Sequence, residues 1–170
     1  MNNNYISYFD TPLGKMILTA NNLGLTGAYF KDQKNIIYDD FNQYINGEND
    51  IISKAKEWLN CYFLGEIPTL SVPICFVGTF FQKRVWEELM KIPYGKTVSY
   101  LDIANMVTNK QVDDICKHGS ARAVGGAVGR NRISIIVPCH RVIGKNKKMI
   151  GYSGGLDRKI KLLEIEGIRN

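Results

Sequence analysis

The chain has 170 residues, 45% of them hydrophobic and 22% charged, with a formal net charge of +6. That composition excludes a disordered polymer and suits one good core or two small ones. No apolar run approaches the roughly 20 residues needed to cross a bilayer, and MNNNYISYFD lacks the basic-then-apolar order of a secretion signal, so a cytoplasmic location without membrane contact is expected.

In chain order, the β-branched and aromatic runs YISYF, KMILTA and LTGAYF read as strands, the last two joined by the turn signal NNLG. NDIISKAKEWLNCYFLGE carries Ile52, Ala55, Leu59, Tyr62 and Phe63 at helical spacing. IPTLSVPICFVGT reads as extended, with Pro68 and Pro73 marking an edge or connection. These elements describe a small α+β module with no catalytic cluster.

From Phe80 the pattern changes. FFQKRVWEELMKIPYG places Phe81, Val85, Trp86 and Leu89 on one helical face and stops at Pro93 and Gly95. A second helix starts in SYLDIANMV, with Ser99 as cap and Asp102 at the capping-box position. SARAVGGAVGRN reads as a third helix of small residues, and the last two together resemble a helix-turn-helix. Gly125 and Gly126 each cost about 1 kcal/mol there relative to alanine, which calls for close helix packing or close approach of a nucleic-acid backbone; packing is slightly favoured. ISIIV, residues 133–137, reads as a buried strand ended by Pro138. In GLDRKIKLLEIEG the stripe is Leu156, Ile160 and Leu163, with Gly167 as the stop.

Charge divides along the same line. Residues 1–80 hold 5 basic and 8 acidic side chains, residues 81–170 hold 17 and 8. A basic C-terminal half fits an anionic partner, nucleic acid first, or a solvated basic face.

Cys61, Cys75, Cys116 and Cys139 are scattered with no CxxC pair, which argues against a disulfide framework and a closed cysteine zinc site. Cys139 is followed by His140 and Arg141, cations that lower a thiol pKa, so it is a candidate nucleophile as well as a small buried hydrophobe. His140, with only His118 as a second histidine, lacks companions for a metal site and is a candidate base or a structural histidine. Glu166 stands in the last turn of its helix, where the dipole disfavours it; it is either the acid that orients His140 or an exposed glutamate. Tyr100 lies on the face of Ile103, Ala104 and Val107, a core position whose hydroxyl needs a partner. Lys145, Lys147 and Lys148 form a solvated loop or meet phosphates, and GYSGG offers a glycine turn suited to presenting backbone N–H groups.

VPCHRVIG, preceded by VGRN and followed by GYSGGL, resembles the active-site region of the O6-alkylguanine-DNA alkyltransferases. GTFFQKRVWEELMKIPYGKTVSY and SARAVGGAVGRN extend the likeness over residues 78–168. The resemblance implies an α+β protein with a small RNase H-like N-terminal domain, residues 1–77. Residues 78–170 would be a mostly helical domain with a winged helix-turn-helix. It implies DNA repair by irreversible, stoichiometric transfer of an alkyl group from O6 of guanine, with O4 of thymine a further candidate, to Cys139. The partner is double-stranded DNA containing O6-alkylguanine, bound by a monomer with no cofactor and no metal. By the same resemblance His140 takes the thiol proton through a water and contacts Glu166, Asn131 braces the active-site turn, and Tyr100 helps rotate the nucleotide and donates to the base. Arg122 replaces the flipped base, and the helix with Ser120, Ala121, Gly125, Gly126 and Arg130 faces the minor groove. Val128, Val142, Tyr152 and Ser153 line the base pocket, with the carbonyls of Cys139 and Val142 on the exocyclic amine.

The chain departs from the family pattern at Arg132 and Ser134, where prolines are usual, and in the longer link TNKQVDDICKHGS. Two competing readings are a non-catalytic lesion-recognition protein or helix-turn-helix regulator, and a cysteine hydrolase using Cys139, His140 and Asn131.

Overall fold

The computed structural model describes residues 3–34, 41–108 and 120–169. The chain divides into two units, Met1–Val77 with Arg132–Ile136, and Gly78–Asn131 with Val137–Asn170.

The first unit is built on a sheet of order β3-β2-β1-β4. Strand β1 (Tyr5–Thr11) turns through Thr11 and Gly14 into antiparallel β2 (Gly14–Ala20), which pairs with β3 (Leu25–Phe30). Gly14, at φ 122, closes the first hairpin. In the second, the Asn21 side chain accepts from the backbone N–H groups of Leu23 and Gly24, the asparagine-turn chemistry that NNLG announces. Short β4 (Ile45–Asn46) runs parallel to β1. All six residues of β3 are buried, since its outer edge is covered by bridges from Leu25 to Ile74 and from Ala28 to Ile133. Helix α1 (Asp50–Phe63) is capped by the Asn49 side chain on Ile52 N–H and packs across β1, β2 and β3. It buries Ile52, Ala55, Leu59 and Tyr62, and the burial of Ile52 or Leu59 contributes about 1.5–3 kcal/mol.

In the second unit, α2 (Phe80–Leu89) begins with a full capping box between Thr79 and Gln82. Strand β5 (Val98–Ser99) leads into α3 (Tyr100–Thr108), where Ser99 and Asp102 exchange N–H bonds as the sequence predicts. Helix α4 (Ala121–Gly129) is capped by Ser120 and buries Val124, Ala127 and Val128. Helices α2, α3 and α4 pack on one another, and Trp86 Nε1 donates to the Ala127 carbonyl at 2.9 Å. Residues 109–119 of the link TNKQVDDICKHGS, with Cys116 and His118, lie outside the described residues. A 3-10 turn (Cys139–Arg141), strand β6 (Val142–Ile143) paired with β5, and α5 (Leu156–Ile165) complete the unit.

Two expectations are corrected. ISIIV is buried but is no strand: after the bridge at Ile133 the backbone folds tightly, with Ile136 N–H on the Ser134 carbonyl and Ile135 at φ 72. A β-branched residue there is strained and persists only because its surroundings impose it. Ser134 is buried and donates to Gln33 Oε1 at 2.9 Å. In α5 the buried face is Lys159, Leu162 and Leu163, while Leu156 is exposed.

Candidate active site

Cys139, His140 and Arg141 occupy successive positions of a 3-10 turn, and all three are buried. With three residues per turn, consecutive side chains leave the axis about 120° apart. Adjacent reactive groups are thereby aimed at different neighbours.

The Cys139 sulfur accepts from Asn131 Nδ2 at 3.1 Å, and the same amide donates to the Val137 carbonyl at 3.1 Å. Asn131 comes just after Arg130, the C-cap of α4, so it fastens the nucleophile's turn to the end of that helix. Burial pushes the Cys139 thiol up, opposed by the Asn131 hydrogen bond and the charge of Lys159. The expectation that His140 and Arg141 lower this thiol is therefore corrected: burial dominates, and both side chains are turned towards Glu166.

Glu166 is the polar centre of the site. Its carboxylate accepts from His140 Nε2 at 2.6 Å, Arg141 Nε at 2.8 Å, Arg141 Nη2 at 3.0 Å and Gly95 N–H at 3.0 Å. Burial alone would raise its pKa, but the contacts from His140 and then Arg141 outweigh it and hold the carboxyl at about 2. Arg141 is fixed further by the Ile92 carbonyl at 2.6 Å and lies over the Tyr94 ring, 5.7 Å from its centre. Burial lowers the proton affinity of His140, with Glu166 pulling the other way. The contact to a carboxylate assigns the imidazole proton to Nε2 and leaves Nδ1 the basic nitrogen.

Tyr100 opens α3 with its hydroxyl 3.4 Å from the Ile150 carbonyl and 3.3 Å from that of Gly151. Burial and the charge of Cys139 raise its pKa to about 12, so the phenol stays protonated. It borders a largely apolar cavity of about 660 Å³ whose wall includes Ser99, Leu101, Ala121, Gly125 and Gly151, a size suited to a small aromatic guest. Neither Cys139 nor any of the expected pocket residues lines this cavity: Val128 and Val142 are buried, and Tyr152 and Ser153 are half-buried. The Cys139 carbonyl accepts from Val142 N–H and the Val142 carbonyl from Lys159, leaving each a second lone pair.

Ser120, Ala121, Arg122 and Arg130 are exposed along α4. Arg122, Arg130, Ser120 and Gly126 edge a second cavity of about 460 Å³ beside Phe81 and Gln82. A Cβ at Gly125 would lie 3.8 Å from the Tyr100 ring, and one at Gly126 would meet only the tip of Arg130 at 3.3 Å. Internal packing therefore does not require these glycines. Among the described residues no group of three or more His, Cys, Asp and Glu could hold a metal ion, and no helix is long and apolar enough to cross a membrane.

Sequence reasoning missed two site residues, Arg141 as the second partner of Glu166 and Lys159. The spacing of Lys159 and Glu166, two helical turns apart, was the available signal.

Residues 80–168 match the family model of the 6-O-methylguanine DNA methyltransferase DNA-binding domain, and residues 4–76 that of its ribonuclease-like domain. The chain is 43% identical over 157 residues to a methylated-DNA–protein-cysteine methyltransferase of Mycobacterium leprae, covering 92% of this chain and 88% of that protein. A protein of the same name from Methanosarcina acetivorans is 41% identical, covering 96% of this chain and 98% of its own. The crystal structure of Mycobacterium tuberculosis OGT in complex with DNA superposes with a TM-score of 0.81 at 39% identity, covering 95% of this chain and 92% of that one.

Proposed function

This chain belongs to the 6-O-methylguanine DNA methyltransferase family, and on that premise we propose how its residues repair DNA by moving a methyl group from O6 of guanine onto Cys139. The observation that carries the proposal is the buried array in which Asn131 holds the Cys139 sulfur and Glu166 holds His140.

The steps balance without a cofactor. The thiol proton passes through a water to His140 Nδ1, and Glu166 stabilises the imidazolium across its contact with Nε2. The sulfur attacks the methyl carbon, the S–C bond forms, and the C–O6 bond breaks with its electron pair going to the guanine. Tyr100, still protonated, gives the leaving base a proton, and the proton held on His140 returns through water to the phenolate so formed. The resulting thioether leaves Cys139 no proton to lose, so each molecule acts once.

A base within a duplex cannot reach a buried thiol, and rotating the nucleotide out costs a few kcal/mol (roughly) of unstacking. In this reading α4 lies in the minor groove, Arg122 fills the vacated stack, and Gly125 and Gly126 let the sugar-phosphate backbone come close. The protein acts as a monomer, because thiol, base cavity and DNA-facing helix lie in one unit. A duplex carrying one O6-methylguanine tests the proposal: the native protein should restore the guanine stoichiometrically, and Cys139→Ala should bind the duplex and leave the lesion. Binding without restoration by the native protein would favour a recognition role.

A further inference from the structure

Beyond α2 the chain makes a tight turn from Pro93 to Lys96, with Lys96 N–H on the Pro93 carbonyl at 3.1 Å and Gly95 at φ 73, the left-handed position such a turn reserves for glycine. Tyr94, inside it, touches both members of the Arg141–Glu166 pair. Its ring lies against the Arg141 guanidinium, and its hydroxyl donates at 3.0 Å to the carbonyl of Ile165, the last residue of α5. The carbonyls of Leu163 and Glu164 are taken by the chain that follows, through Ile168 and Gly167 N–H; that of Ile165 is taken by the phenol. A peptide unit is planar, so a bond on the Ile165 carbonyl also sets the direction in which Glu166 leaves the helix. Gly95 N–H, from the next position of the same turn, holds the Glu166 carboxylate itself.

We propose that Tyr94 is a positioning residue of the transfer reaction: by fixing the last peptide of α5 and the guanidinium of Arg141, it holds Glu166 Oε1 on His140 Nε2, so that Nδ1 takes the thiol proton. The inference rests on the reading of Cys139 as methyl acceptor and His140 as its base. Burial and the charge of Glu166 raise the Tyr94 pKa, with Arg141 opposing, so the phenol remains a donor to the Ile165 carbonyl. Tyr94 acts through Glu166 and Arg141, and through them on His140. A shift of a few tenths of an ångström at the helix end is enough to weaken a contact that now stands at 2.6 Å.

Two measurements on the whole protein test this. The first is the proton NMR signal of His140 Nε2–H without DNA: a ring N–H on a buried carboxylate is sheltered from water and resonates far downfield. Tyr94→Leu, which removes both ring and hydroxyl, should move it upfield. Tyr94→Phe keeps the ring on Arg141 and should fall between Tyr94→Leu and native. The second is single-turnover methyl transfer at saturating duplex carrying O6-methylguanine. Its rate constant should follow the same order, with Tyr94→Leu slower by about tenfold or more and duplex affinity within about twofold of native. A residue that only stabilised the fold would lower the urea midpoint and leave the His140 signal where it was. No downfield signal in the native protein, an unmoved signal in folded Tyr94→Leu, or a native rate constant in that variant would overturn the inference. If Tyr94→Leu does not fold, Tyr94→Phe carries both measurements, with a rate about threefold below native expected. A native protein that leaves the lesion intact counts against the proposed function alone, and the His140 signal then decides whether Tyr94 holds Glu166 in place.

Discussion

Arg141 and Glu166 form a two-point ion pair, Nε to Oε2 at 2.8 Å and Nη2 to Oε1 at 3.0 Å, with the carboxylate fully buried. The pair lets an acid stand at the C-terminal end of a helix, where the dipole opposes it. It also leaves Glu166 a fixed negative charge against which His140 can become positive.

Glu166→Gln keeps the shape and removes that charge, leaving Arg141 buried without its counter-ion. Stability in urea should fall by about 3–5 kcal/mol. Methyl transfer should slow by about tenfold or more while affinity for undamaged duplex stays near native, because Glu166 is remote in role from α4. An unchanged transfer rate would contradict the part assigned to the His140–Glu166 contact.

The same residues set an acid limit. Glu166, held at about 2 against an ordinary value of 4.5, contributes stability that is present above the ordinary value and lost as pH falls through the folded one. His140, buried with its proton affinity lowered, favours the neutral form, so stability also declines as pH falls below its ordinary value. Urea midpoints should therefore drop from about pH 6.5 downward. The drop below about pH 4.5 should be shallower in Glu166→Gln, whose side chain does not titrate.

Gly151 has φ 58, and a Cβ there would stand 2.8 Å from the Tyr100 hydroxyl. Gly151→Ala should cost about 1–2 kcal/mol for the backbone and push Tyr100 off the turn. Transfer to the lesion should slow more than Cys139 alkylation by iodoacetamide, a comparison that separates the base cavity from the thiol itself.

Arg122 and Arg130 are both exposed on the α4 side of the unit, yet their expected roles differ. An Arg130 that pairs with a phosphate makes the salt dependence of binding shallower by about 0.9 in log–log slope when replaced by alanine. An Arg122 that enters the stack weakens binding when replaced, with the slope little changed. Fluorescence anisotropy across a salt series reads both.

How far the sequence carries can be judged at particular positions. The strands of the N-terminal sheet and helix α1 were legible because alternation and the Ile52–Ala55–Leu59–Tyr62 spacing are local signals that the fold obeys. The cap at Ser99 and Asp102 was legible for the same reason. Ile133 to Val137 misled because an apolar run reports burial and says nothing of a reversal at Ile135, where a β-branched residue is locally disfavoured. Lys159 and Arg141 were hidden because charged residues are read as surface, and only tertiary structure supplies the carbonyls and the carboxylate that let them be buried. The motif placed Cys139 and His140 together and the resemblance named Asn131 and Glu166 beside them; the separate direction of each contact came from the turn.

The central claim is that Cys139 is the acceptor of the methyl group. Incubating the native protein with an equimolar duplex bearing O6-methylguanine, then digesting it and weighing the peptides, tests this most directly. The account predicts one added methyl, about 14 Da, on the peptide containing Cys139, with Cys61, Cys75 and Cys116 unmodified and the guanine restored. An unmodified Cys139 with the lesion intact, or the methyl on another cysteine, would contradict it.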